Sequence, residues 1–132
     1  MPVLITAQVQ KGPLKADCAQ WVTMRKVLFV CTANLQRSPT AESLFQGWKG
    51  IWIAKSAGIM PDPTGNPLTQ ELIDWADVII VMEPIHSQYI TSHFQCSPEK
   101  IRLLNIPDRY FRDDPELITL LRKEVPQLLE KY

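Results

Sequence analysis

A cysteine and an arginine stand near the two ends of a short segment that could bind and attack a phosphoryl group. The segment matches the pattern C-x5-R-S, from Cys31 to Arg37 and Ser38, and Pro39 follows it. The intervening residues can curl so that their backbone N–H groups surround phosphoryl oxygens, while the planar guanidinium of Arg37 grips two of them. The same positive surroundings favour the thiolate of Cys31, which is the nucleophilic form. The spacing therefore predicts a phosphate-binding loop with a cysteine nucleophile.

The other residues of this segment are candidate substrate-binding positions. They are Thr32, Ala33, Asn34, Leu35, Gln36 and Ser38. Ser38 is expected to donate a hydrogen bond to the thiolate, and Asn34 tolerates the left-handed backbone that a tight loop needs. A C-x5-R pattern also occurs by chance, and a cysteine that ends a buried strand is often only a small apolar residue. Its position between a strand and a helix favours the chemical interpretation.

Four apolar runs predict the strands that would position this loop. They span residues 26–30, 51–54, 78–82 and 101–106. The first and third are continuous apolar blocks, as expected for parallel strands that are buried on both faces. Because helical patterns alternate with these runs, we expect right-handed crossovers and an open parallel sheet covered by helices on both faces. Ligands of such sheets bind beyond the carboxyl ends of the strands, which points to the turns after the first and fourth strands.

Four segments carry apolar residues at helical spacing, within residues 38–48, 68–76, 84–94 and 117–128. Ser38 as N-cap and Pro39 as first helical residue should begin the first helix, and Gly50 can end it. Pro126 is expected to kink or end the last helix.

Residues 1–23 differ from the rest because they show no sustained pattern. Residues 3–5 could form a short strand, which Lys11, Gly12 and Pro13 would end. We therefore predict a loosely ordered N-terminal extension over residues 1–23 and one domain over residues 24–132. A chain of 132 residues suits a single hydrophobic core.

Composition restricts the class of partner. The 14 basic residues balance 14 acidic ones, which argues against nonspecific nucleic-acid binding. No apolar run has the length of a membrane span and no signal-peptide pattern opens the chain, so we expect neither a membrane partner nor export. Cys18, Cys31 and Cys96 form neither a CxxC pair nor a metal-ligand cluster, which is typical of free thiols in a reducing cytoplasm.

Residues 27–42 (VLFVCTANLQRSPTAE) resemble the signature of the low-molecular-weight protein tyrosine phosphatases, in particular a short bacterial branch. Residues 56–58 (SAG) and 74–83 resemble further segments of that family. The resemblance implies a phosphotyrosine phosphatase I-like α/β fold, a three-layer open sheet of four parallel strands flanked by helices. It also implies hydrolysis of a phosphotyrosyl protein or a small aryl phosphate through a cysteinyl-phosphate, without a metal or other cofactor. Ala33 departs from a frequent glycine, and Gln36 replaces a second cysteine, which excludes a disulfide within the loop.

The resemblance also implies a general acid, an aspartate that follows the fourth strand. Three aspartates compete for this role: Asp108, Asp113 and Asp114. Asp114 precedes a proline as the family's acid does, but aspartate before proline and glutamate is also a helix N-cap pattern. Asp108 directly follows the strand and is our choice. Tyr110 and Phe111 could wall the pocket and stack on an aromatic substrate, or they could only cover the end of the sheet.

Two alternative functions fit parts of the sequence. An arsenate reductase can use the same loop, but it needs further cysteines, for which Cys96 is a lone candidate. A binding module could hold phosphate groups without turnover. His86 and His93 lie on the predicted third helix and are expected to be surface residues rather than metal ligands.

Overall fold

The computed structural model describes residues 11–14 and 21–130. Six strands occur within these ranges: β1 (Lys11–Leu14), β2 (Trp21–Thr23), β3 (Arg25–Cys31), β4 (Trp52–Gly58), β5 (Val78–Val81) and β6 (Ile101–Leu103). The last four form a sheet in the order β4-β3-β5-β6, in which every neighbouring pair is parallel. This sheet confirms the predicted α/β class, although β4 continues farther than predicted and β6 is shorter.

The central strand β3 is buried on both faces, as its continuous apolar run predicts. Val27 and Phe29 face a core that they share with the first and last helices. Leu28 and Val30 point to the opposite face and a second core. Strand alternation thus divides one apolar run between two cores, which explains why no polar residue interrupts it.

Four helices cover the sheet: α1 (Arg37–Phe45), α2 (Gln70–Trp75), α3 (Pro84–His93) and α4 (Pro115–Glu130). Helix α1 begins one residue before Ser38, with Gln36 at the N-cap position, so the predicted capping role of Ser38 is wrong. It also ends before Gly50, since Gly47 adopts a left-handed φ of 75°. Helix α4 continues through Pro126, so the expectation that this proline ends the helix is wrong; its buried residues, including Val125 and Leu129, still pack in the core.

The two remaining strands, β1 and β2, form an antiparallel pair within the predicted N-terminal extension. Lys11, Gly12 and Pro13, which we expected to end a strand over residues 3–5, lie in β1. The predicted strand at residues 3–5 lies outside the described residues. The domain boundary near residue 24 stays a prediction. None of the helices within the described ranges has the length and apolar character that crossing a membrane requires.

Candidate active site

A pocket of about 230 Å³ opens at the carboxyl ends of the parallel strands. Its lining combines the loop after β3 with one residue that follows β6: Cys31, Thr32, Ala33, Leu35, Gln36, Arg37 and Asp108. The two turns selected from the sequence therefore meet in one site. Of the candidate substrate-binding residues, Asn34 and Ser38 lie behind the loop instead of lining the pocket.

The outer side of the loop is held by the segment that follows β4. The carbonyl oxygens of Cys31, Thr32 and Ala33 accept hydrogen bonds from the backbone N–H groups of Ile59, Met60 and Asp62, over 2.8 to 3.1 Å. These three bonds fix the loop carbonyls to the segment after β4. A loop next to a helix N-terminus binds anions when its N–H groups face inward.

Two polar side chains behind the loop, those of Asn34 and Ser38, orient the thiol of Cys31. The amide oxygen of Asn34 accepts a hydrogen bond from the backbone N–H of Asn66 at 2.7 Å, so its nitrogen faces Ser38 and donates to Oγ at 2.9 Å. The Ser38 hydroxyl then has its own proton for Cys31 Sγ, also 2.9 Å away. The N–H of Asn34, whose φ is 55°, points at the same sulfur from 3.2 Å. Two hydrogen-bond donors are therefore directed at Sγ.

The guanidinium of Arg37 is buried beside the pocket and is held from one side. Its Nη1 donates to Glu83 Oε1 at 2.7 Å and to the carbonyl of Ile106 at 2.8 Å. Its Nη2 lies 3.7 Å from Asp108 Oδ1 at the pocket. Because Nη1 is occupied, the other edge of the planar group remains for a bound anion.

The three candidate acids occupy different surroundings. Asp108 lines the pocket, and its side chain is 64% exposed. Asp114 Oδ1 accepts the backbone N–H of Glu116 at 2.8 Å, which is the N-cap role that the sequence suggested for it. The backbone N–H of Asp113 bonds to Thr40 Oγ1, and its side chain does not line the pocket. Only Asp108, of these three, is within the site.

The two aromatic residues that we expected on the pocket wall lie elsewhere. Tyr110 is buried in the core on the α4 side of the sheet, where its hydroxyl accepts a hydrogen bond from Arg109. Phe111 is 75% exposed and does not line the pocket. The chain turns between the acid position and α4, and this turn directs one ring inward and the other to solvent. The alternative, that these rings cover the sheet end, describes Tyr110 better.

His86 is the site residue that sequence reasoning missed. We expected it at the surface, but it is fully buried, and its Nε2 lies 2.9 Å from Thr32 Oγ1. Its Nδ1 accepts the N–H of Glu83 in a capping box at the start of α3. A glutamate before a proline-initiated helix, three residues before a histidine, was the available signal. His93, in contrast, is exposed as expected.

Burial lowers the pKa of His86 to about 4, and the nearby charge of Arg37 adds to this effect. The carboxylates of Glu83 and Asp108 act in the opposite direction. The imidazole is therefore neutral near neutral pH. Within residues 24–130, no three His, Cys, Asp or Glu side chains come together as a metal site would require.

Residues 26–67, which include the loop, match the family model for low molecular weight phosphotyrosine protein phosphatases. A protein-arginine-phosphatase from Bacillus subtilis is 32% identical over 100 residues, which are 57% of this chain and 67% of that protein. A low molecular weight protein tyrosine phosphatase from B. subtilis has a similar structure, with 28% identity, a TM-score of 0.63, and coverage of 80% of this chain and 97% of that one. The tyrosine phosphatase Wzb from Escherichia coli K30, solved with phosphate, has 25% identity, a TM-score of 0.65, and coverage of 82% and 98%.

Close packing of Gly58 against the loop generates a first prediction. A Cβ at Gly58 would lie 2.6 Å from the carbonyl oxygen of Thr32 and 2.8 Å from the nitrogen of Asn34, so Gly58→Ala must displace loop backbone. We expect phosphate affinity, measured by calorimetric titration, to fall by about tenfold or more, the cost of roughly one lost hydrogen bond. Gly47→Ala is the matched control, because a Cβ there meets nothing within 4 Å while its φ of 75° strains the backbone. That control should lower the unfolding temperature but keep phosphate affinity, and equal affinity in both variants would contradict the prediction.

The lowered pKa of His86 predicts a loss of stability in acid. The unfolded chain takes up this proton near pH 6.5, but the folded protein does so only near 4, so unfolding binds an extra proton between these values. The free energy of unfolding should therefore fall as the pH decreases from 6.5 to 4, by up to about 1.4 kcal/mol per pH unit from this group. Urea unfolding of the wild type and His86→Asn should give curves that diverge in this window, the wild type being the steeper. Parallel curves would contradict the assignment.

Proposed function

The chain belongs to the low molecular weight phosphotyrosine protein phosphatase family, and we propose that it dephosphorylates phosphotyrosine in proteins, with Cys31, Arg37 and Asp108 as its catalytic residues. Dephosphorylation of proteins is the activity that the names of the family and of its relatives give. The observation that carries the residue assignment is the convergence of all three side chains on one pocket.

The reaction has two steps. The thiolate of Cys31 attacks phosphorus, the bond from phosphorus to the leaving oxygen breaks, and Asp108 protonates that oxygen. Water then attacks the cysteinyl-phosphate, gives its proton to Asp108 and releases the thiolate, which Ser38 and the N–H of Asn34 stabilise. The loop N–H groups and Arg37 hold the charge that develops on the phosphoryl oxygens.

Leu35 supports an aryl substrate. This side chain lines the pocket, and the residue is 38% exposed, so it offers an apolar surface to a ligand there. Packing against an aromatic ring would remove it from water, whereas a phosphoguanidinium requires hydrogen-bond acceptors, which leucine lacks. Ala33, also in the lining, adds a second apolar surface.

A protein-arginine phosphatase is the second candidate, because the curated relative from B. subtilis carries that name. Asp108 is the observation at the site that favours it, since an exposed carboxylate at the pocket could pair with a substrate guanidinium. The same carboxylate serves as general acid for either substrate. The two candidate substrates would therefore make the same contacts with the loop and different contacts with the pocket rim, where Leu35 and Asp108 lie.

The arsenate reductase alternative lacks support from Cys96. This cysteine precedes β6, at the amino ends of the parallel strands, whereas Cys31 stands at the carboxyl end of β3. Burial raises the pKa of the Cys96 thiol, which makes it a poorer nucleophile. Cys18 lies outside the described residues. A disulfide relay between Cys31 and Cys96 would have to cross the sheet.

The roles of Cys31 and Asp108 predict the activity of their variants. Hydrolysis of para-nitrophenyl phosphate in EDTA should be abolished in Cys31→Ser, because an alcohol is a poor nucleophile, and slowed by about 10²- to 10⁴-fold in Asp108→Asn, the usual contribution of a general acid. Asp113→Asn is the matched control and should retain wild-type turnover. A strong loss in Asp113→Asn but not in Asp108→Asn would transfer the acid role. A folded wild type that binds phosphate without turnover would be a binding module.

The apolar side chain of Leu35 in the pocket lining predicts the substrate class. At equal concentrations, a phosphotyrosine peptide should be hydrolysed with at least about tenfold higher kcat/KM than the same peptide with phosphoarginine, which is the discrimination that one apolar contact against an unpaired polar group provides. Phosphate release should be followed for both peptides at one pH. The reverse preference would identify an arginine phosphatase and leave the cysteine chemistry intact.

A further inference from the structure

Both ring nitrogens of His86 are hydrogen-bonded, and their two partners determine which nitrogen carries the proton. Nδ1 lies 3.0 Å from the backbone nitrogen of Glu83, and Nε2 lies 2.9 Å from Thr32 Oγ1. The Glu83 N–H can only donate, so Nδ1 must carry a lone pair. A neutral ring then has its proton on Nε2 and donates it to the Thr32 hydroxyl.

Thr32 is held by two different parts of the protein. Its hydroxyl accepts from His86 on α3, and its carbonyl accepts from the N–H of Met60, after β4, at 2.8 Å. Thr32 directly follows the nucleophile Cys31 and lines the pocket. The orientation of the first peptide groups in the loop therefore depends on both attachments.

We propose that His86 is a positioning residue of the phosphate loop, which acts through Thr32 as a neutral imidazole protonated on Nε2. This inference rests on the proposed function, since it assumes that the loop binds the phosphoryl group. The same turn of α3 also reaches the other end of the loop, because Glu83 Oε1 holds Arg37 Nη1 at 2.7 Å. The capping box of α3 thus holds both Thr32, the first residue after the nucleophile, and Arg37.

A protonated ring could not serve in this way. A second proton on Nδ1 would face the Glu83 N–H, donor against donor, and would break the capping box. The charged groups near the ring are Arg37, which opposes a second positive charge, and the carboxylates of Glu83 and Asp108, which favour it. Burial and Arg37 prevail, so the loop anchor persists through the neutral range.

The test is a double-mutant cycle on the full chain. His86→Asn keeps an oxygen near the position of Nδ1 for the Glu83 N–H but is too short to reach Thr32, and Thr32→Val removes the hydroxyl with little change in shape. Each should weaken inorganic phosphate binding and lower kcat/KM for para-nitrophenyl phosphate by about fivefold to tenfold, as one hydrogen bond is worth. The double variant should lose no more than either single variant, and Thr32→Ser should lose less than Thr32→Val.

A spectroscopic readout separates positioning from general stability. The imidazole ¹⁵N signals of His86 at neutral pH should report a protonated Nε2 and an unprotonated Nδ1, with and without inorganic phosphate. His93→Asn, an exposed change on the same helix, should leave phosphate affinity and turnover at wild-type values. This control excludes a general effect of altering α3.

Three outcomes would overturn the inference: a proton on Nδ1, wild-type phosphate affinity in both single variants, or losses that multiply in the double variant. If His86→Asn does not fold, the ¹⁵N signals together with Thr32→Val still decide between the two possibilities. If the wild type binds phosphate but does not hydrolyse the aryl ester, the proposed function fails, while the affinity cycle still tests the role of His86.

Discussion

Removing a guanidinium from water costs several kcal/mol of free energy unless its N–H groups are hydrogen-bonded. Arg37 is only 1% exposed. Its two bonded acceptors come from the turns that follow β5 and β6, at Glu83 and the carbonyl of Ile106. Arg37 itself opens α1 after β3. One buried charge therefore requires that the carboxyl ends of three neighbouring parallel strands converge, and the phosphate loop takes its shape at their junction.

The polar groups behind the loop are already hydrogen-bonded to one another, and these bonds hold the loop in place before any ligand binds. The side chain of Asn34 donates a hydrogen bond to Ser38 and accepts one from the backbone N–H of Asn66. The backbone N–H of Glu83 donates to the ring of His86. Among the described residues, no buried side-chain nitrogen or oxygen lacks a partner. Donors that are already oriented need not reorganise when charge develops on phosphorus, which is the physical basis of electrostatic catalysis.

Chemistry and specificity reside in different layers of the site. Cys31, Ser38 and Arg37 form a buried layer, which under the proposed function holds the phosphoryl group whatever carries it. Leu35 and Asp108 line the pocket at its exposed rim, which under the same proposal faces the leaving group. This separation fits the finding that proteins named for arginine and for tyrosine phosphatase activity are both similar to this chain.

The sequence alone determined what local physics controls. The apolar run before Cys31 required a strand buried on both faces, and the C-x5-R-S spacing placed an anion loop at the following helix start. The α/β class and the meeting of the two turns followed from this. Only the tertiary structure decided that Gln36 instead of Ser38 occupies the N-cap position of α1, that Tyr110 enters the core, and that His86 is buried against Thr32. These outcomes depend on side-chain directions and on partners 54 positions away, as for Thr32 and His86, which no local pattern encodes.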